Sequence, residues 1–361
     1  MKYNLADVCV RLSSGKGIPA KMIESSGRFP VYGGNGLRGY TEQSNFDGEC
    51  AIIGRQGAFC GNVRFFSGKA YMTEHAIVAV ANKDHNTRYL AYLLSIMSLG
   101  HLSAQSAQPG LSVKTLSKVT VDLPSKEEQD KAVNILSSLE DKIAENSKIN
   151  DNLQQQANAL FARYYDCAET EISFTEIIQI LGGGTPKTSE SAYWNGDIPF
   201  FTPKDVGNPY TLTTEKTITE DGLAHCNSRL YTINTVFVTA RGTVGKVGLS
   251  GVPMAMNQSC YALIGKATHP LLVYFYTLKV IDKLKHKASG AVFDAITTRD
   301  FESEHILKLS NDDERAFLDV VEPMYQVMLS NSIENMHLAS LRDSLLPKLM
   351  SGELDVSGIR L

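Results

Sequence analysis

The sequence predicts a mixed α/β (α+β) protein made of two similar halves, in each of which a globular domain is followed by a long α-helix. Residues 125–165 contain neither Gly nor Pro, and their apolar residues recur in alternating steps of four and three, the heptad pattern of a coiled coil. Residues 311–350 repeat this rhythm, and β-like runs with glycine turns precede each stretch. We therefore predict a first domain (1–124), a first long helix (125–165), a second domain (166–310), a second long helix (311–350) and a C-terminal tail (351–361).

The heptad seams of the two predicted helices correspond to each other at a constant offset along the chain. The first seam consists of Ala132, Leu136, Leu139, Ile143, Asn146, Asn150, Leu153, Ala157, Leu160 and Tyr164, and the second of Phe317, Val321, Met324, Met328, Asn331, Asn335, Leu338, Arg342, Leu345 and Leu349. Both seams carry Asn at the same two steps, and Asn in a seam lowers coiled-coil stability but fixes register and partner. This shared pattern indicates an internal duplication of domain plus helix.

A duplicated chain of this kind can close with pseudo-twofold symmetry, which packs the two long helices as an antiparallel coiled coil. One register then satisfies the symmetry, with Asn146 opposite Asn335 and Asn150 opposite Asn331, so that the amides satisfy each other. A helix of about forty residues is about 60 Å long. We therefore expect the helix pair to hold the two domains apart as a spacer.

Composition limits the possible classes of protein. The 361 residues suffice for two domains and long helices, and 43% hydrophobic with 20% charged residues is ordinary for a soluble protein. The sequence contains neither a membrane-length apolar run nor a secretory signal, and its six Cys are scattered without a C-x-x-C pair, so we expect a cytoplasmic protein without disulfides or metal. The net charge of −4 does not indicate a nucleic-acid binder, so any DNA binding must depend on local surfaces or on a partner.

The two globular segments show parallel patterns. In the first, residues 49–54 and 74–80 are β-like and residues 88–102 have helical spacing. In the second, residues 230–249 resemble 48–66, and helical spacing recurs at 271–285. Arg55 and Arg241 each follow an apolar strand and precede a glycine turn, which places them at equivalent positions in this interpretation.

The most distinctive stretch is LGGGTPKTSESAYWNGDIPFFTPKDV at 181–206. Its glycines do not form the G-x-x-x-x-G-K-[ST] phosphate loop, and Pro186 and Pro199 break the context of a dinucleotide fingerprint. Two interpretations remain: a buried turn with Trp194 in the core, or a polar loop that faces a ligand.

The motif G-G-T-P followed by Y-W-x-G-D-I-P-F-x-T-P-K-D resembles the target-recognition domain of type I restriction–modification specificity (S) subunits. The closing LLPKLMSGELDV (345–356) is similar to the C-terminal end of that family, and the first domain shows the variant YGGNGLRGY (32–40). The resemblance implies a non-catalytic DNA reader whose domains each recognise one half of a split, asymmetric site, while the helices set the spacer and dock methyltransferase subunits.

Sequence reading requires Arg, Lys, Asn and Gln side chains that reach base edges, with further polar groups on phosphates. Our candidates for DNA binding are Arg38, Arg55, Gln56 and Gln108 in the first domain and Thr185, Lys187, Lys204, Arg241, Lys246, Asn257 and Gln258 in the second.

For catalysis the sequence shows no paired acids and no Ser–His or Cys–His set at diagnostic spacing. The resemblance implies that S-adenosylmethionine and ATP bind partner subunits, that the partners are double-stranded DNA, two methyltransferase subunits and restriction subunits, and that no membrane is involved. Two alternatives remain: a specificity subunit of a system with a fused methyltransferase and nuclease, and a coiled-coil scaffold whose end domains bind protein.

Overall fold

The computed structural model describes residues 1–103, 110–287 and 295–358. The chain divides into two compact units, Met1–Lys142 with Leu338–Leu361, and Ile143–His337. Each unit contains one globular domain and parts of both long helices. The first long helix, Lys126–Asp166, and the second, Asn311–Ser351, have 41 residues each.

The first unit is built on a six-stranded sheet with α2 packed against it. Its strands are β1 Lys2–Asn4, β2 Cys9–Ser14, β3 Phe29–Gly33, β4 Gly36–Thr41, β5 Phe46–Gly54, β6 Val63–Met72, β7 Ala76–Ala81 and β8 Thr120–Asp122, and its helices are α1 Leu5–Val8, α2 Thr87–Ile96, α3 Val113–Leu116 and the start of α4 Lys126–Asp166. The strand order is β2-β7-β5-β6-β3-β4, and β1 pairs separately with β8.

Both faces of the central strand β5 are buried. Ala51 and Ile53 belong to the core cluster that contains α2, whereas Cys50 and Ile52 belong to a second cluster. Because successive strand residues point to opposite faces, a strand covered on both sides has a continuous apolar run rather than an alternating one. This accounts for the unbroken sequence CAII.

The second unit repeats this plan. Its strands are β9 Thr170–Ser173, β10 Ile178–Gly182, β11 Trp194–Phe201, β12 Tyr210–Thr211, β13 Thr217–Ile218, β14 Val236–Thr239, β15 Val247–Ser250, β16 Ala255–Met256, β17 Cys260–Gly265 and β18 His305–Lys308. Its helices are the end of α4, α5 Phe174–Ile177, α6 Glu220–Ala224, α7 Pro270–Lys287, α8 Thr298–Glu302 and the larger part of α9 Asn311–Ser351. The main sheet has the order β10-β17-β14-β15-β12, so β10, β17, β14 and β15 take the places of β2, β7, β5 and β6. A smaller sheet, β13-β11-β16, and the pair β18-β9 complete the unit.

Serine caps open both long helices. Ser125 accepts a hydrogen bond from the Glu128 backbone N–H (3.3 Å), and its own N–H donates to the Glu128 carboxylate (2.9 Å). Ser310 accepts from the Asp313 backbone N–H at 3.2 Å. A capping hydroxyl with an acid three residues later satisfies free N–H groups at a helix start, so both helices begin by the same device.

An aromatic cluster joins both long helices to the second domain. Phe161 of α4 lies 5.0 Å from Phe275 of α7 and 5.4 Å from Phe317 of α9 between ring centroids, and Phe275 lies 5.1 Å from Phe317. All three rings are buried. In the first unit, Ala132 and Leu136 of α4 share a core cluster with Leu349 of α9.

Within the second unit the two long helices run antiparallel and meet at two Asn layers. Asn146 Nδ2 donates to Asn335 Oδ1 (3.0 Å), and Asn331 Nδ2 donates to Asn150 Oδ1 (2.9 Å). The symmetric heptad register expected from the sequence places the same residues opposite each other. The mixed α/β class, the two similar domains and the packed long helices confirm the predicted fold class.

Candidate nucleic-acid interface

Four segments of the first domain are tied together by backbone hydrogen bonds. The Thr73 N–H donates to Tyr32 O (2.9 Å), and the Arg55 N–H donates to His75 O (3.0 Å). The Lys16 N–H donates to Met72 O (3.0 Å). These bonds join the segment 15–16, the turn at 32–36, the turn after β5 and the segment 73–75, which we call the first loop cluster.

The same network recurs in the second domain. The Asn257 N–H donates to Phe201 O (2.9 Å), the Ala240 N–H donates to Ser259 O (2.8 Å), and the Gly184 N–H donates to Met256 O (3.1 Å). These bonds join the segments 183–187, 201–205, 240–243 and 256–259, which we call the second loop cluster. The two domains thus build the same backbone scaffold at corresponding places.

This network corrects one equivalence that the sequence predicted. Arg55 O accepts from the Leu111 N–H, and Ala240 O accepts from the Ile296 N–H at 3.0 Å, so the residue equivalent to Arg55 is Ala240 and not Arg241. Arg241 corresponds to Gln56, because each is the next residue in its loop. The hydrogen bonds therefore align the two loops one residue differently from the alignment that pairs Arg55 with Arg241.

The glycines of the G-G-T-P motif serve the scaffold. A Cβ on Gly183 would lie 2.1 Å from Asn257 O, and a Cβ on Gly15 would lie 2.1 Å from Met72 O in the first domain. Only a residue without Cβ allows such close approach of two backbones. The motif therefore builds the loop cluster, while the side chains around it remain available for contacts.

Of the described candidates in the first loop cluster, one side chain is hydrogen-bonded to the backbone and two are exposed. Arg55 is half-buried, and its Nη1 donates to Glu74 O at 3.3 Å. Gln56 is exposed, and its Oε1 lies 3.1 Å from His75 Nδ1. Arg38 is exposed, with its side chain beside Gly33. Gln108 lies outside the described residues.

In the second cluster, three cations surround one depression. Lys204, Lys216 and Arg241 line a cavity of about 500 Å³ together with Asn257 and Glu215. Lys204 Nζ lies 3.7 Å from the Glu215 carboxylate, but both side chains are well exposed, and such pairs contribute little. Arg241 is exposed, and within the described parts of the chain its guanidinium has no hydrogen-bond or ion-pair partner. The depression therefore presents the free donors of Arg241 beside two further cations.

Asp205 fixes the turn that carries Lys204. One carboxylate oxygen accepts from the Thr202 N–H (2.8 Å) and hydroxyl (2.6 Å), and the other accepts from the Glu215 N–H (2.9 Å). A carboxylate that accepts several local donors holds a turn in one conformation.

The remaining candidates lie around the same cluster, with one exception. The Thr185 hydroxyl donates to Gln258 Oε1, and Lys187 O accepts from Trp194 Nε1 at 3.3 Å. Trp194 is half-buried against Phe200 and also bonds to the loop at Lys187. The stretch 181–206 therefore contains both a core residue and a polar loop. Lys246 is the exception, because it lines a separate depression with Asp282 and Lys285.

Three residues in or beside these clusters were not among the candidates. Lys216 Nζ lies 5.6 Å from the Trp194 ring centroid, His75 lies against Gln56, and Arg64 lies against Gly36. Neighbouring strands or long loops bring them into place, so local sequence patterns do not reveal them.

Two further observations concern the described residues. No group of three or more His, Cys, Asp or Glu side chains among them could hold a metal ion. None of their helices combines the length and apolar character needed to cross a membrane.

The fold defines a duplicated protein in which an α/β domain with a loop cluster is followed, twice along the chain, by a long helix. The family described as type I restriction modification DNA specificity domain matches residues 1–155 and 170–307. The chain belongs to this family and contains two copies of its domain.

Individual relatives agree with this assignment. The EcoprrI specificity subunit of Escherichia coli is 40% identical over 124 residues, which is 33% of this chain and 31% of that protein. The HindI specificity subunit of Haemophilus influenzae is 24% identical over 327 residues, 68% of this chain and 71% of that protein. A crystal structure of a type I restriction–modification S subunit from M. genitalium has a TM-score of 0.69 at 15% identity, covering 97% of this chain and 95% of that one, and supports the fold.

Proposed function

We propose that this chain is the DNA sequence-specificity subunit of a type I restriction–modification complex and reads a bipartite, asymmetric site in double-stranded DNA. The observation that carries the proposal is one scaffold with two sets of side chains. Equivalent positions hold Gln56 and Arg241, Thr73 and Asn257, Glu74 and Gln258, and His75 and Ser259. A common scaffold with different donors and acceptors suits two different half-sites.

In this proposal each loop cluster contacts one half-site. Arg, Asn and Gln side chains are suited to base edges, whereas Lys and hydroxyl groups are suited to phosphates. The net charge of −4 makes tight DNA binding by the isolated chain unfavourable. Positive surface on partner subunits completes the complex.

The long helices set the spacer between half-sites and dock two methyltransferase subunits. Val320 and Val327, one heptad apart on α9, are each 46% exposed, which supports a protein contact on this helix. S-adenosylmethionine and ATP act on the methyltransferase and restriction subunits, and this chain contributes recognition without catalysis. The complex works in the cytoplasm, where cellular DNA is accessible.

A methylation map tests the proposal. Genomic DNA is sequenced for modified adenine from cells that express this chain with its methyltransferase, and from cells that express the methyltransferase alone. We expect a split motif of two defined parts around a fixed spacer, present only with this chain. A continuous motif would contradict the two-ended geometry, and no motif would favour the protein-binding scaffold.

A further inference from the structure

A cation lies beside the first loop cluster and has no counterpart beside the second. Arg64 lies on β6 opposite Ile52 of β5. The corresponding pair in the second domain is Gly248 of β15 opposite Phe237 of β14. A Cβ on Gly248 would lie 3.2 Å from Val206 Cγ1 and 3.3 Å from Pro209 O, so a long side chain there would need the neighbouring loop to move.

The guanidinium of Arg64 is packed against the glycine turn. A Cβ on Gly36 would lie 2.2 Å from Arg64 Nη1 and 3.0 Å from its Cζ, so the guanidinium occupies the space that any other residue would fill. Gly36 also has φ +100°, a conformation that other residues rarely adopt. The turn sequence therefore provides both the backbone shape and the space for Arg64.

A second cation lies on the other side of the same turn. A Cβ on Gly33 would lie 2.8 Å from Arg38 Cδ, so Arg38 flanks the turn from β4 while Arg64 flanks it from β6. Both side chains are exposed, and neither makes a hydrogen bond or ion pair with another described residue. Burial raises the pKa of Tyr32 in this turn, and the charge of Arg64 opposes that shift, in keeping with their proximity.

We propose that Arg64 is a specificity-determining residue that reads a guanine in the first half-site. The inference rests on the proposed function. Arg forms a bidentate contact with O6 and N7 of guanine in the major groove, which requires a planar group held in a defined direction. Packing against Gly36 supplies that direction, and the free donors of Arg64 supply the contact. The second half-site lacks this contact because Gly248 stands at the equivalent position.

The test separates base reading from charge. Complexes of the full-length chain with its methyltransferase subunits select duplexes from a randomised library, using the wild type, Arg64→Ala, Arg64→Lys and the control Lys69→Ala. Lys69 lies on the same strand and pairs with Asp47. Lys keeps the charge of Arg but lacks its planar fork.

We expect both Arg64 variants to lose about tenfold of the preference for guanine at one position of the first half-site, with the second half-site and Lys69→Ala unchanged. Overall affinity should fall less for Arg64→Lys than for Arg64→Ala. An Arg64→Lys variant that keeps the guanine preference, or equal weakening on all sequences, would overturn the inference. If the wild type selects no sequence, both the proposed function and the inference fail. If the wild type selects a split site and both Arg64 variants select the same site, the inference alone fails.

Discussion

Asn331 donates a hydrogen bond of 2.9 Å to the side-chain oxygen of Asn150 between the two long helices. The Asn150 amide in turn donates to Met328 O (3.2 Å) and to the Ser332 hydroxyl (3.3 Å). Asn150 is buried, so these bonds replace those that it would make to water. A polar layer of this kind fixes the register, because any shift leaves buried amides without partners.

The first prediction concerns this layer. Asn150→Leu should lower the free energy of unfolding by about 1–3 kcal/mol, because Asn331 loses its acceptor inside the helix pair. The double variant Asn150→Leu/Asn331→Leu should recover much of the loss, since two apolar side chains then face each other. Urea unfolding followed by circular dichroism measures both, with Asn158→Leu, at an exposed position of the same helix, as the matched control. A double variant less stable than the sum of the two single changes would contradict this account.

The second prediction concerns Arg241. Arg241→Ala should relax specificity at one position of the second half-site and cost about 1–3 kcal/mol of binding free energy there, if Arg241 reads a base. Duplex binding by the assembled complex, measured against single-base variants of both half-sites, checks it. Arg229→Ala is the control, because Arg229 is also an exposed arginine of the second domain and does not line the cationic depression.

Equal weakening of all duplexes by Arg241→Ala would identify a phosphate contact instead. A phosphate contact also lowers the slope of affinity against salt by about one unit. Measurement at two salt concentrations therefore assigns Arg241 to one of the two roles.

The third prediction concerns pH and the stability of the first unit. The buried Gln129 amide donates to His85 Nδ1 (3.1 Å) and to Pro124 O (2.9 Å), which ties the first domain to the start of α4. Burial lowers the pKa of His85 from its ordinary value of 6.5. Below 6.5 the unfolded chain therefore binds more protons at this site than the folded one, and stability falls as the pH falls.

His85→Gln should reduce this dependence, because Gln keeps an acceptor and does not titrate. Thermal unfolding from about pH 7.5 to about pH 5.5 measures the change, since histidine titrates in this range. His337→Gln, at an exposed position of α9, is the control. The same pH dependence in wild type and His85→Gln would assign the effect to other groups.

Features that depend on local sequence spacing could be predicted, whereas features that depend on contacts between distant segments could not. The Asn pairs could be predicted because heptad spacing is a local property that determines which residues face a partner helix. The equivalence of Arg55 with Arg241 was wrong by one residue, because hydrogen bonds to distant segments set the alignment of those loops. Arg64 was missed because its place beside Gly36 depends on strand pairing. Lys246 was predicted to act with Arg241 and Asn257 but lines a different depression. Nearness in sequence does not determine the direction of a side chain.

The last prediction tests the spacer. Deleting residues 139–145 from α4 together with 336–342 from α9 removes one heptad from each helix and retains both Asn pairs in the same register. Each helix loses about 10 Å, so the distance between the half-sites should shorten while both half-site sequences stay the same. A methylation map measures spacer and half-sites together.

Deletion of 139–145 alone is the matched control for this experiment. It removes the same length from one helix but shifts the register of the pair, so we expect loss of stability and of methylation rather than a new spacer. A spacer that is unchanged in the double deletion would mean that the helices do not determine the spacing. Changed half-site sequences would mean instead that the helices contribute to base reading. That outcome would contradict the assignment of base reading to the two loop clusters.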